Sequence, residues 1–215
     1  MATTLFPLPT SGRGSRSVQR ILDAAARAFG RDGYDGASMI AVARAAGVSK
    51  GLLHYHFRSK EHLLIAAHRA ILRQVHLRFQ ERFQRGERGM DTALEGLDAL
   101  WGALRELDEQ APFMLETMAL AAQGRRVRPQ MDEFFDEVMP MLEDGIREAF
   151  AGDTERLILP PRRMAQVMRT MFQGLVVDLA FARGPSERAR VDRTYRDLRE
   201  QFATFAFQTT APEAP

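Results

Sequence analysis

The 215-residue chain predicts an all-α protein: an N-terminal three-helix helix-turn-helix head followed by a larger helical bundle. Three observations lead there. Apolar residues return at three- and four-residue steps in segment after segment, the period of a helix with one buried face. Two short helical segments joined by a glycine turn, each preceded by a serine, lie between Ser38 and Phe57. Finally, the front of the chain is strongly basic although the whole is nearly neutral.

The short pair is the most telling part. Ser38 stands where its hydroxyl can accept from a free first-turn amide. Ile40, Ala43, Ala46 and Val48 follow at helical steps with Arg44 outward. Gly47 ends that helix, because glycine turns left-handed without steric cost. Ser49 caps the next, which begins Lys50-Gly51-Leu52-Leu53 and has Leu53 and Phe57 one turn apart, facing inward. Lys50, Gly51, Leu52, His54 and Tyr55 remain outside. Helix pairs with so tight a turn read DNA by placing the second helix, N-terminal end first, in the major groove. The residues expected at double-stranded DNA are Ser38, Arg44, Ser49, Lys50, Gly51, Leu52, His54, Tyr55 and Lys60, with Leu52 suited to a thymine methyl.

A helical hairpin in any all-α core would show the same periodicity, and charge separates the two readings. Residues 1–85 hold 14 Lys and Arg against five Asp and Glu, a balance of +9 in a chain whose total is +2, so the remainder carries −7. A basic front of this kind is the electrostatic footprint of phosphate binding. Both lysines of the chain, Lys50 and Lys60, lie in it.

From Ile21 to Leu64 the sequence resembles the DNA-binding domain of the TetR family of bacterial transcription regulators, on the segments ILDAAARAFGRDGYDGASM, AVARAAGVSKG and HFRSKEHLL. The resemblance implies a repressor that binds a palindromic operator as a dimer and is released by a small molecule held in the body. Leu52 and His54 stand where many members carry Thr and Tyr. The family's Tyr commonly touches a phosphate, a role that falls here to His54 or Tyr55.

Length leaves space for one head and one body. Residues 1–15 are expected to form a flexible arm, 16–59 the head, and 60–210 the ligand-binding and dimerisation body, with 60–85 as the connecting helix. Arg13 and Arg16 are expected to be solvated rather than to brush the DNA backbone. The absence of cysteine excludes a disulfide scaffold and thiol chemistry. No signal-peptide core precedes the head and no apolar run approaches membrane-spanning length, so a cytoplasmic chain with no membrane partner is expected. All five histidines, His54, His56, His62, His68 and His76, fall within 23 residues. Without HExxH spacing or cysteine they predict no metal site, and His54, His56 and His62 are expected near the DNA side, where protonation would add to binding as pH falls. No nucleophile elbow or phosphate-cradling glycine loop is present, which disfavours an enzyme and leaves no catalytic residue or cofactor to assign.

The body reads as a succession of helices. The connecting helix turns Leu64, Ala67, Ile71, Val75 and Phe79 inward, and Gly86 and Gly89 break it. A helix over 90–108 carries Leu94, Leu97, Trp101 and Leu104 on one side; Pro112 opens a shorter one. The next, over 129–150, places Phe134, Val138, Leu142 and Ile146 inward and is expected to kink at Pro140. Pro160-Pro161 starts a helix to about 183, and Gly184-Pro185 separates it from a last one over 186–208. Their stripes, Met164, Met168, Met171, Leu175 and Leu179 in one and Val191, Tyr195, Leu198, Phe202 and Phe205 in the other, need a cover. The resemblance implies a homodimer through these two helices, although a monomer could cover the stripes internally.

By the same resemblance the body holds an inducer pocket. The candidates are Trp101, Phe113, Met114, Met118, Phe134, Phe135, Met139 and Phe172, each of which has core packing as its plainer explanation. Asp178 is the sharpest of the set, since a carboxylate within GLVVDLAFA is costly unless paired with a cationic ligand or an arginine; the arginine is the preferred partner. Ligand and DNA would then be mutually antagonistic. A DNA-binding regulator without an inducer is the alternative.

Overall fold

The computed structural model describes residues 13–83, 88–124 and 127–207, with the side chains of 13, 14, 72, 74–83 and 130 left aside. The fold is all-α. Among the described residues run α1 (Arg13–Gly36), α2 (Met39–Ala45), α3 (Lys50–His56), α4 (Lys60–Phe83), α5 (Met90–Glu106), α6 (Ala111–Ala122), α7 (Arg128–Ala149), α8 (Pro161–Phe181) and α9 (Pro185–Phe205). Single 3-10 turns occur at Asp108–Gln110 and Thr154–Arg156. The chain divides into two compact units.

The first unit takes in α1 to α3, α4 as far as Leu72, and the segment Glu109–Met131 that contains α6. Three serines cap the starts of α2, α3 and α4. Ser38, Ser49 and Ser59 each accept, through Oγ at 3.1 Å, the amide three residues on, at Ala41, Leu52 and His62. Gly47 takes φ 63 at the α2 exit, the left-handed state in which an L side chain is strained. Inside lie Ile21, Leu22, Phe29, Leu53, Leu63 and Leu64, all but inaccessible to solvent. Phe113 of α6 joins them, stacked on Phe29 at 5.8 Å and edge-on to His68 at 6.0 Å. Burying a residue such as Leu53 stabilises the head by about 2 kcal/mol.

In the second unit α9 packs on α5 and α8. Trp101 stacks on Tyr195 with rings 15° from parallel and centroids 4.9 Å apart, and Phe172 leans on the same tyrosine at 6.4 Å. Charged groups frame this contact. Asp98 accepts from the Tyr195 hydroxyl at 2.6 Å and from Arg199 at 2.9 Å. Arg105 reaches Asp192 at 2.8 Å and Asp108 at 3.1 Å, and Arg188 meets Asp108 at 2.9 Å. The Tyr195 phenol is held well above its usual pKa, first by burial and then by its bond to the Asp98 carboxylate.

Helix boundaries fall within a few residues of those expected from the sequence, with one difference of substance: α1 already begins at Arg13, inside the segment expected to be an arm. Helix α7 contains Pro140, as expected. Pro140 faces solvent, where water can serve the carbonyl that the missing amide leaves unmatched. The placings of Val75 and Phe79, the break at Gly86, the His76 and Arg13 side chains and residues 1–12 of the arm lie outside the described residues and side chains. No described helix is long and apolar enough to cross a membrane.

Candidate nucleic-acid interface

Helix α3 is held from one side only. Leu53 is its single buried residue and Phe57, just past the C-terminus, is buried as well; Lys50, Gly51, Leu52, His54 and Tyr55 all face solvent. That is the division expected from Leu53 and Phe57 being one turn apart. Tyr55 is the most open of the large hydrophobic residues among those described, at 81%, and Leu52 is open to 36%. Ser49 sits at the helix start with its hydroxyl on the Leu52 amide, and Lys50 follows on the outer surface. A basic group, two hydroxyl or imidazole donors and one apolar side chain are thus offered on the solvent side of the helix. Such a set can meet phosphate oxygens and base edges together.

Around it, Ser38 caps α2 and Arg44 is exposed on the same helix. Ile40 was expected inside and stands outside, 53% exposed. In a seven-residue helix the packed arc runs through Val42, Ala43 and Ala46, and residue 40 falls roughly a third of a turn away from it. Lys60 is turned toward the end of α1. Its Nζ lies 4.5 Å from the centre of the Tyr34 ring and donates to the Asp35 carbonyl at 3.3 Å.

The histidines do not act alike. His54 is exposed and His56 half-buried. His62 is held below the usual histidine pKa by burial and by the nearby Arg58 charge, and its Nδ1 accepts a long 3.4 Å bond from the Arg58 amide. Gain of charge on mild acidification is therefore opposed at His62, one of the three imidazoles expected to supply it. His68 is fully buried, and burial holds it down to about 4.

The inducer-pocket candidates divide between the units. Phe113 and Met114 are buried and Met118 half-buried on α6, in the first unit. In the second, Trp101 and Phe172 meet at Tyr195, while Phe134 is buried against the half-buried Phe135 at 5.4 Å and Met139 is half-buried. Arg169 lies over the Phe135 ring at 5.1 Å. Asp178 corrects its expectation. It is exposed, because α8 turns Leu175, Val176 and Leu179 inward and leaves Asp178 outside that arc, so no buried partner is required. The apolar stripes are covered differently. Met164, Met168, Leu175 and Leu179 are covered within the chain, as are Val191 and Tyr195. What remains open is a second α8 face with Val167 and Phe181, and Phe205 at the end of α9.

Residues 21–67 match the family model of bacterial regulatory proteins, tetR family. The regulator BetI of Rhizobium meliloti is 46% identical over 61 residues, 27% of this chain and 30% of that protein. UidR of Escherichia coli K12 is 27% identical over 130 residues, 60% of this chain and 64% of that one. The chain therefore matches less than two thirds of the length of either relative. A crystal structure of a transcriptional regulator from Saccharomonospora viridis in complex with choline superposes with a TM-score of 0.65 at 23% identity, over 91% of this chain and all of that one. The serine-capped α2 and α3 and their outward surface thus lie inside residues 21–67, the segment that matches the tetR family of bacterial regulatory proteins.

Proposed function

We propose that the protein is a transcriptional repressor that binds a palindromic operator as a homodimer and leaves it when a small molecule enters the body. The observation that carries the DNA-binding half is the outward face of α3, where Lys50, Leu52, His54 and Tyr55 project from a helix anchored by Leu53 alone. Base contacts fall to Leu52 and Tyr55; phosphate contacts fall to Ser38, Arg44, Ser49, Lys50 and His54.

Dimerisation is assigned to α8 and α9. Val167, Met171, Gly174, Asp178 and Phe181 follow one another at alternating steps of four and three along α8, and all are exposed or half-buried in the single chain. A second copy would cover that seam, and two heads then meet the two half-sites. For the inducer, the contact of Trp101, Phe172 and Tyr195 beside Asp98 is the first place to look, since aromatic faces and a carboxylate suit an organic cation. A fold neighbour is in complex with choline, which supports testing a ligand of that kind.

The test is selection of bound duplexes from random DNA, followed by titration of the selected complex with quaternary amines and other small molecules. A recovered palindrome and release of DNA by one compound class are expected. Recovery of no preferred sequence would refute operator reading, and a complex indifferent to every compound would refute the inducer.

A further inference from the structure

Helix α1 carries an arginine pair that the recognition surface does not account for. Arg16 and Arg20 are both exposed and lie one turn apart on one side of α1, where with Ser17 and Gln19 they line an open groove. The position of Arg20 ties this groove to the reading helix. A β-carbon at Gly47 would lie 3.7 Å from Arg20 Nη1, so the guanidinium sits against the α2–α3 turn, two residues before the Ser49 cap. Asp23, the one acidic residue between positions 13 and 31, accepts from the Gln19 amide at 2.8 Å. Arg31, farther along α1, is engaged by Asp32 at 2.6 Å.

We infer that Arg16 and Arg20 form a phosphate clamp that grips the DNA backbone flanking the groove entered by α3. This rests on the reading of the chain as a DNA-binding protein. Two guanidinium groups separated by one helical turn, about 6 Å, match successive phosphates of one strand. Their planar donor forks suit phosphate oxygens better than a lysine would. Gln19 and Ser17 between them add neutral donors for the same oxygens. The clamp fixes where the head sits along the duplex and reads no base. Arg16 reads as merely solvated and Arg20 carries no local signal, because the turn at residue 47 that Arg20 reaches is distant in the chain.

The test compares wild type, R16Q/R20Q and, as a control on the same helix, R31Q. All three are titrated against a random-sequence duplex of about 30 bp and against the selected operator at several salt concentrations. These residues are exposed, so melting curves are expected to coincide. Loss of two phosphate contacts lowers the slope of log K against log salt by about 1.8. Raising salt from about 50 to 200 mM then weakens the double variant about twelvefold less than wild type. The operator-to-random affinity ratio stays where it was, and R31Q behaves as wild type. A wild-type slope in R16Q/R20Q with normal DNA binding by wild type overturns the clamp alone, as does a slope change matched by R31Q. Wild-type protein that binds neither duplex overturns the clamp together with the DNA-binding reading beneath it.

Discussion

Glu116 Oε1 accepts a 2.5 Å hydrogen bond from the backbone amide of Tyr34, 82 positions earlier in the chain. The bond exists because α1 breaks at Gly33, where φ 72 and ψ 170 turn the next amide out of the helical ladder. A carboxylate from α6 takes the place of the lost carbonyl, and Ala37 then resumes the ladder by donating to Gly33 at 3.1 Å. The contact is half-buried, so leaving the amide without its acceptor costs about 1–2 kcal/mol. Glu116→Ala is expected to lower the unfolding free energy by that amount, and Glu116→Gln, which keeps an oxygen acceptor, by clearly less. Urea unfolding of both variants checks this, and equal losses would show that the acceptor oxygen is not what matters.

The start of α3 allows stability and binding to be separated. Ser49→Ala removes the oxygen that holds the Leu52 amide and should cost about 1 kcal/mol. Lys50→Ala touches no cap and no core, so its melting point should hold while DNA affinity falls on every sequence and the salt slope drops by about 0.9. An unaltered slope in Lys50→Ala would take that residue off the phosphates.

These two cases mark what could be read from the sequence. The serine caps, the Gly47 turn and the inward pair Leu53 and Phe57 are local, each fixed by residues within one or two turns, and each is found where the spacing puts it. The Glu116 bond depends on a break and a carboxylate brought together only by α1 packing on α6, and no periodicity signals it. Asp178 failed for a different reason: its apolar neighbours along the chain are on another side of the helix. Likewise the Met164 to Leu179 stripe was legible as apolar, but which α8 face stays open depends on where α9 packs.

That open face gives a direct prediction. Val167 and Phe181 are 57% and 68% exposed on α8, with the bare backbone of Gly174 between them, and Phe205 is 59% exposed on α9. If a second copy covers them, Val167→Glu combined with Phe181→Glu buries two carboxylates from each copy in a seam whose residues, Val167, Met171, Gly174, Asp178 and Phe181, include no base to pair them. The variant should sediment as a monomer where wild type sediments as a dimer, with its thermal midpoint otherwise governed by the intact internal core. Cooperative binding to a two-half-site operator should disappear with the dimer, while weak binding to a single half-site persists. A double variant that remains dimeric would place the interface elsewhere.

His68 supplies the expected pH dependence. It lies on α4 at 1% exposure, edge-on to Phe113, and burial lowers it from 6.5 to about 4. Its folded pKa is the lower of the two, so between these values the unfolded chain binds the extra proton and stability falls as pH falls. The loss begins near 6.5 and is complete below about 4. From pH 7 to pH 5 it amounts to about 2 kcal/mol. His68→Leu removes the titrating group and keeps an apolar side chain against Phe113. Other acid-sensitive groups act equally in both proteins, so the difference between wild type and variant isolates this residue. Wild-type unfolding free energy should therefore drop by about 2 kcal/mol more than that of the variant over this range. A difference that stays constant with pH would mean that His68 reaches water or a proton acceptor in solution.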